Sequence, residues 1–522
     1  MSAFLRRDRM IHGLLFLGLA AACYACSEPV IDESSGASDD MIMPLPSAEA
    51  SAVPTSEAPI PEFTQGAPPT YPAIEIMGTP TQDPVRDPPP MREETAIYQV
   101  QLGDSLNVIA FRYQVSPIHI MEANGILDGD LLAVGQTLTI PAPKLSEPGP
   151  SFKMIPNSEL VYGPASIYSD IEGFVEGTAG YLRDYLEIVD EEELSGAQII
   201  AKVAERYSVN PMLLIAILEH QSGWLYRKDI STQSAYYPIG YIASGREGLY
   251  AQLAWTADQL NTGYYRWRAG WAGPYTLVDG KMLNPGAGVN AGTVGLQYLF
   301  SQLFQEDEWR RVVDVGGFEQ IFSILFDNPF ARQVEPLLLD GLTQPELQLP
   351  FEPETVWSFT GGPHSAWGGG TAWAALDFGP PGNAFGCVLS DEWVVASAPG
   401  IVVRAGNGEV VLDLDGDGYE QSGWVLFYMH IESRDRVSPG SYLNAGDRIG
   451  HPSCEGGLTT GTHVHVARKY NGEWVSADDS IPFNLDDWIS VGLGEQYDGL
   501  LVRDSVQLEA CACRNDTNQI SR

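Results

Sequence analysis

Positive charge is scarce in this chain. Lys and Arg number 29 against 68 Asp and Glu, for a formal net charge of −39 over 522 residues. Phosphate contact needs clustered Lys and Arg, so the composition excludes a nucleic-acid binder. Docking on an anionic membrane surface is disfavoured for the same reason. Acidity keeps a chain soluble and says little about its fold. Long apolar runs are also lacking. The stretch from Ile11 to Ala22 is too short to span a bilayer comfortably. Cysteines number six and histidines eight, and five of those histidines (His364, His430, His451, His463, His465) lie beyond residue 360.

What the N-terminus does have is an export signature. Arg6, Arg7 and Arg9 precede the apolar run, which ends in Ala20-Ala-Ala-Cys23-Tyr-Ala-Cys26. Small residues before a cysteine resemble a bacterial lipoprotein processing site. Cys23 has the better small-residue approach. Lipidation at Cys26 would leave an even set of Cys387, Cys454, Cys511 and Cys513. Both stay open, and each predicts an exported cell-envelope protein that meets the membrane through a lipid anchor only; a plain secretory cut nearby would instead leave the protein secreted. Disulfides persist in that compartment. Residues 27–95 are rich in Pro, Ser, Ala and acidic residues, with no Lys or Arg between Cys26 and Arg86. Such a segment predicts a disordered tether, or a pro-segment removed on activation.

A chain of this length predicts about three folded units. The first, 96–142, reads β-α-α-β. Ile97-Tyr-Gln-Val100 alternates as a strand, and Gly103-Asp-Ser105 turns into a helix reaching about Tyr113. Ser116-Pro117 opens a second helix through Ala123, Asn124-Gly125 stops it, and Gly135–Pro141 returns as a strand. The run from Tyr98 to Pro141 resembles a LysM module. That resemblance implies binding of N-acetylglucosamine-containing glycans, chiefly peptidoglycan. The sugar groove would lie between Gly103, Asp104, Ser105, Leu106 and Asn124, Gly125, Ile126, Leu127.

Residues 150–345 read as mainly α-helical. Ser195 caps a run with Ile199, Ile200, Val203, Ala204 and Tyr207 at helical spacing, and Asn210-Pro211 opens a second helix ending at His220-Gln221-Ser222-Gly223. This resembles the lysozyme-like fold of lytic transglycosylases in degenerate form. Gln221 stands where those enzymes carry a general-acid Glu, and an amide cannot deliver a proton. Tyr264-Tyr-Arg-Trp-Arg268 with Trp271 reads equally as a sugar-stacking platform or as core.

The densest chemistry lies further on. Gly461-Thr-His463-Val-His465-Val-Ala reads as a strand, whose period of two turns both imidazoles to one face. Asp377 sits in the apolar run Ala375-Leu-Asp-Phe, where an unpaired charge would be costly. With His364 these residues offer histidines and a carboxylate, the ligand pattern of a catalytic zinc that leaves a position for water.

The ordered set Trp357–His364, Leu376-Asp-Phe378, Tyr428-Met-His430 and Gly461–His465 resembles the lysostaphin-type and beta-lytic (LytM-like) zinc endopeptidases over about 350–500. The beta-lytic branch fits better, because Trp373 replaces the histidine of a His-x-x-x-Asp motif and His364 stands upstream in a Gly-Gly-Pro-His turn. The resemblance implies an antiparallel β peptidase domain with a duplicated hybrid motif. It makes His364, Asp377 and His465 the ligands of one Zn2+, with His430 and His463 as catalytic partners of undivided role. The implied substrate is peptidoglycan peptide. The competing expectation is a non-catalytic wall-binding scaffold or amidase-regulating protein.

Smaller features remain. Asp413, Asp415 and Asp417 have the spacing that starts a calcium loop, but position twelve is Trp424, so a hairpin turn competes with structural Ca2+. Cys454 could pair with Cys387. Cys511 and Cys513, in a polar tail over 501–522, could pair together or hold another chain. His451 reads as a loop residue.

Overall fold

The computed structural model describes Asp83, Arg86 and residues 91–522 other than 272, 383 and 384. The export segment, Cys23, Cys26 and most of the expected tether lie outside the described residues. Asp83 and Arg86 fall within that tether, yet both dock on the helical region. Asp83 accepts hydrogen bonds from Nε1 of Trp267 and the backbone N–H of Ala291, and Arg86 lies over the Trp267 ring.

The first unit is β-α-α-β, as its turn chemistry predicts. Strands Ala96–Gln99 and Thr137–Ile140 pair antiparallel around helices Leu106–Arg112 and Pro117–Asn124. Ser105 caps the first helix, accepting from the N–H of Val108. Gly125 ends the second in the left-handed conformation that spares a Cβ clash. Val100, Leu106, Ile109, Ile120, Leu138 and Ile140 form its core.

The middle region is mainly helical. Ser195 and Gln198 close a capping box on helix Gly196–Tyr207, and Asn210-Pro211 starts helix Pro211–Ser222. Helix Leu249–Arg268 packs against helix Ala291–Ser301, and Gly263 permits the close approach. A Cβ there would come within 2.6 Å of Tyr298 and 2.8 Å of the Val294 carbonyl. Tyr264, Tyr265 and Trp267 are buried in this packing, so they serve as core rather than as an open sugar platform.

The C-terminal unit is antiparallel β. Its main sheet runs in the order Tyr442–Leu443, Gly400–Gly406, Glu409–Asp413, Trp424–Met429, Val464–Tyr470, Ala375–Gly379, Trp357–His364, Gln519–Ile520. A smaller sheet holds Asn484–Leu485, Trp488–Gly492, Gly499–Arg503 and Val506–Glu509. The expected boundary at residue 500 therefore falls inside a sheet. The tail is part of this domain, because Leu508 and Ile520 are buried in its core.

The main sheet is covered on both faces. Val402, Leu412, Leu426, Tyr428, Val464 and Val466 fill the domain's own core. On the opposite face Ala375, Val411, Val425, Phe427 and Ala467 join one hydrophobic cluster with the helical region. Buried ion pairs line the same seam, and the first of them crosses it. Arg206 meets Glu409 at 2.9 Å, Arg404 contacts Glu409 and reaches Glu420 at 3.1 Å, and Lys469 meets Glu420 at 2.8 Å.

Candidate metal and catalytic site

Antiparallel pairing assembles the site. Strand Ala375–Gly379 lies between the other two ligand strands, and its register sets Asp377 opposite His465 on one side and Gly361 on the other. A register shift between Gly361 and His364 brings the end of that strand back toward Asp377. The three side chains converge. His364 Nε2 lies 3.0 Å from His465 Nδ1, and each nitrogen is 3.2 Å from Asp377 Oδ1.

The outer nitrogens explain why the inner atoms can bind a cation. His364 Nδ1 donates to the Gly362 carbonyl at 2.8 Å, and His465 Nε2 donates to the Ala366 carbonyl at 3.0 Å. In the neutral rings both protons then sit outside, so two lone pairs face a carboxylate oxygen that is itself buried without a hydrogen-bond donor. Lone pairs packed so closely in a dry site are unfavourable unless a cation lies among them. The residues present fit a divalent metal held by His364, Asp377 and His465. Burial opposes Asp377's charge, but His364 and then His463, when protonated in place of a bound cation, outweigh it and hold its carboxyl well below the ordinary range.

His463 stands just outside this group, with Nε2 3.6 Å from Asp377 Oδ1 and Nδ1 donating to the Gly461 carbonyl at 2.8 Å. His430 lies beside it with its ring tilted, at 4.5 Å between ring centres. Burial, and then His463 and His465, push the His430 pKa down to about 3, so its ring is neutral. Its Nδ1 donates to the Glu455 carbonyl at 3.0 Å, which leaves Nε2 with the lone pair. His430 also holds a backbone φ of +65°, a conformation that a non-glycine residue keeps only when its surroundings enforce it.

Several contributors had no local sequence signal. Ala366 and Glu455 act through backbone carbonyls, Tyr497 stacks on His364 at 4.3 Å, and Asp258 reaches in from the helical region to accept from the Gly370 N–H at 2.8 Å. Gly370 is pressed so close that a Cβ would lie 2.1 Å from the Asp258 carbonyl oxygen. A groove of about 820 Å³ opens over the histidines, walled by Trp367, Phe385, Leu458, Thr459 and Tyr497. The Cys387–Cys454 disulfide staples two of its loops, and Cys511 pairs with Cys513. His451 is a loop residue but buried, its ring tilted against Trp393 at 3.9 Å between ring centres.

Residues 98–141 match the LysM domain, and residues 153–337 match the LasA N-terminal domain. Protease LasA of Pseudomonas aeruginosa is 27% identical over 347 residues, covering 63% of this chain and 76% of that protein. The chain joins a LysM domain to a LytM-like peptidase domain. Beta-lytic metalloendopeptidase of Achromobacter lyticus is 29% identical over 138 residues, 24% of this chain and 34% of that protein. Among solved structures, the M23 metalloprotease pseudoalterin from deep-sea is 24% identical with a TM-score of 0.28, covering 35% of this chain and 99% of its own. The LasA N-terminal match falls on the helical region for which the lysozyme-like reading was the expectation.

Two other expected sites can be placed. Of the LysM groove residues, Leu127 is fully open to solvent, while Leu106 is buried in the core. Asp104 accepts from the Tyr98 hydroxyl and the Gln101 N–H, and Asn124 bonds both backbone groups of Thr139. Those three therefore shape the fold. Asp413, Asp415 and Asp417 do come together. Their carboxylates accept backbone N–H groups of Asp415, Gly416, Asp417, Gly418 and Tyr419, which is how a tight turn satisfies itself.

Proposed function

We propose that the chain is a cell-envelope zinc metalloendopeptidase that hydrolyses peptide stems or cross-links of bacterial peptidoglycan. Export and lipid anchoring through Cys23 or Cys26, and glycan capture by the LysM groove (Gly103 to Leu106 and Asn124 to Leu127), would hold it against its substrate. The observation that carries the reading is the inward convergence of two imidazole lone pairs and one carboxylate oxygen beneath an open groove. Zinc bound there would supply a Lewis acid and an activated water as nucleophile.

The chain's own residues would do the rest. His364 and His465 are held in the metal-binding tautomer by the Gly362 and Ala366 carbonyls. Neutral His430 has the free Nε2 lone pair that accepting a proton requires, although burial makes it a weak base. His463, whose Nε2 lies beside Asp377, suits steadying negative charge as it develops on the carbonyl oxygen.

The test is metal content together with wall digestion by the purified chain. One zinc per molecule, release of new amino groups and clearing of a wall suspension are the expected results. A protein that binds walls without releasing amino groups would instead be the non-catalytic scaffold.

A further inference from the structure

The two histidines outside the metal group, His430 and His463, hang on one short segment, Pro452-Ser-Cys-Glu455-Gly-Gly457. Ser453 donates its N–H to the His430 carbonyl at 2.7 Å and accepts the His463 N–H at 3.4 Å. The Ser453 hydroxyl also donates to the His430 carbonyl, at 3.1 Å, and accepts the Glu455 N–H at 3.0 Å. Glu455 then offers its own carbonyl to Nδ1 of His430. Gly408, at φ +79°, lets the segment press close, since a Cβ there would come within 2.3 Å of that carbonyl oxygen.

The Glu455 side chain turns back to the stretch of chain that follows His430. One carboxylate oxygen accepts the N–H and the hydroxyl of Ser433, at 2.8 and 2.9 Å. The other meets the guanidinium of Arg436. Arg436 also donates to the carbonyls of Ile431 at 2.8 Å and Glu432 at 3.2 Å, the two residues directly after His430. Arg436 is 10% exposed and Glu455 37%, so water and salt screen the pair less than one in open solvent.

The contacts close a circuit. From His430 the chain runs through Ile431, Ser433 and Arg436 to the Glu455 carboxylate. The Glu455 backbone then carries it to the carbonyl that returns to the His430 ring. A circuit this short ties the orientation of the ring to the position of the carboxylate. The same grip holds the carbonyls beside the strained φ of His430. Orientation decides chemistry here, because the hydrogen bond at one imidazole nitrogen sets which nitrogen keeps the lone pair. With Nδ1 donating to Glu455, the lone pair stays on Nε2, in a ring that lines the groove. The other tautomer could accept a proton only at the wrong nitrogen. Neither Glu455 nor Arg436 is among the groove-lining residues, which separates their role from substrate binding.

We propose that Glu455, anchored by Arg436, is a positioning residue for the reaction. It selects the His430 tautomer that can accept a proton and, through Ser453, holds His430 and His463 in one register. This deepens the peptidase reading and rests on it.

The test uses the zinc-loaded full chain with nitrogen-labelled histidines, read by magnetic resonance, His430 being assigned by the signal lost in His430→Ala. The wild type should show His430 protonated at Nδ1 alone. Glu455→Gln and Arg436→Met should show mixed tautomers. With zinc content and melting temperature unchanged, both should release amino groups from a wall suspension about tenfold more slowly, the scale of one net hydrogen bond. Arg436→Lys keeps the charge and should recover part of both losses. A wild-type His430 signal in Glu455→Gln and Arg436→Met overturns the assignment even where their rates fall. So does a shifted tautomer at full rate, or an equal loss in Arg436→Lys and Arg436→Met. A wild type that releases no amino groups sinks the peptidase reading instead, while the spectra still decide whether Glu455 sets the tautomer.

Discussion

The carbonyl oxygen of Ala366 accepts a hydrogen bond from Nε2 of His465 at 3.0 Å. That contact fixes which imidazole nitrogen faces Asp377, and it places the connection between the two other ligand strands in control of the third ligand. The connection is itself held from outside the peptidase domain. Asp258, on helix Leu249–Arg268, accepts from Gly370, while Tyr207 and Arg206 pack against Trp367. Asp258→Ala should therefore raise the metal dissociation constant by about tenfold, the usual scale for outer partners of metal ligands. Calorimetric titration of the metal-free protein measures it. An unchanged constant would mean that the loop keeps its place without the helical region.

Ligands and catalytic partners should separate cleanly by substitution. His364→Ala, Asp377→Ala and His465→Ala each remove one of three converging donors, and each variant should lose its metal on dialysis. His430→Ala removes a neutral imidazole that meets His465 only edge to face and is not itself among the metal-binding residues. It should retain stoichiometric zinc and lose about 10²- to 10⁴-fold in turnover, the range typical of general acid–base groups. Metal analysis beside a peptide-cleavage rate decides the matter. Equal loss of zinc in His430→Ala and His465→Ala would remove the distinction.

These roles were legible in the sequence to different depths, for physical reasons. The LysM helices announced themselves through Ser105, Ser116-Pro117 and Asn124-Gly125, because caps and turns are local. His463 and His465 announced a strand by their spacing, and the Gly-Gly-Pro-His run, which forms the end of a strand rather than the expected turn, marked His364 as their partner. No local pattern connects Asp258 to Gly370 or Glu455 to His430, since each contact is made across the fold. Backbone carbonyls as partners leave no residue-type signal at all. The tail misled for a related reason: its polar composition set it apart from the peptidase domain, while Asn518 buries its amide to pin it against Phe359.

The disulfide at the groove should matter for stability and for His430 together. Cys387 and Cys454 are 67 residues apart in sequence, and Cys454 directly precedes Glu455, whose carbonyl receives His430. Closing a loop of that size stabilises a fold by about 4 kcal/mol in the chain-entropy account. The double variant Cys387→Ser/Cys454→Ser should lose stability on that scale in urea unfolding, keep its zinc, and turn over more slowly because the His430 acceptor has loosened. Full activity in the variant would uncouple the staple from His430.

The interface between the helical region and the sheet predicts a specific acid sensitivity. Burial works against the charge of Glu420, but Arg404 and Lys469 outweigh it and hold its pKa at about 2 against an ordinary 4.5. A depressed carboxyl contributes stability that is fully present above pH 4.5 and lost as the pH falls toward 2. Glu420→Gln leaves Arg404 and Lys469 buried with one counter-charge fewer, which should cost about 3–5 kcal/mol at pH 7. As the pH falls to 2 the wild-type carboxyl becomes about half neutral, and the gap between the proteins should shrink. Urea unfolding of both at pH 7, 4 and 2 measures this convergence. A gap that stays constant across the three pH values would mean that the amide substitution acts through packing rather than through the charge of Glu420.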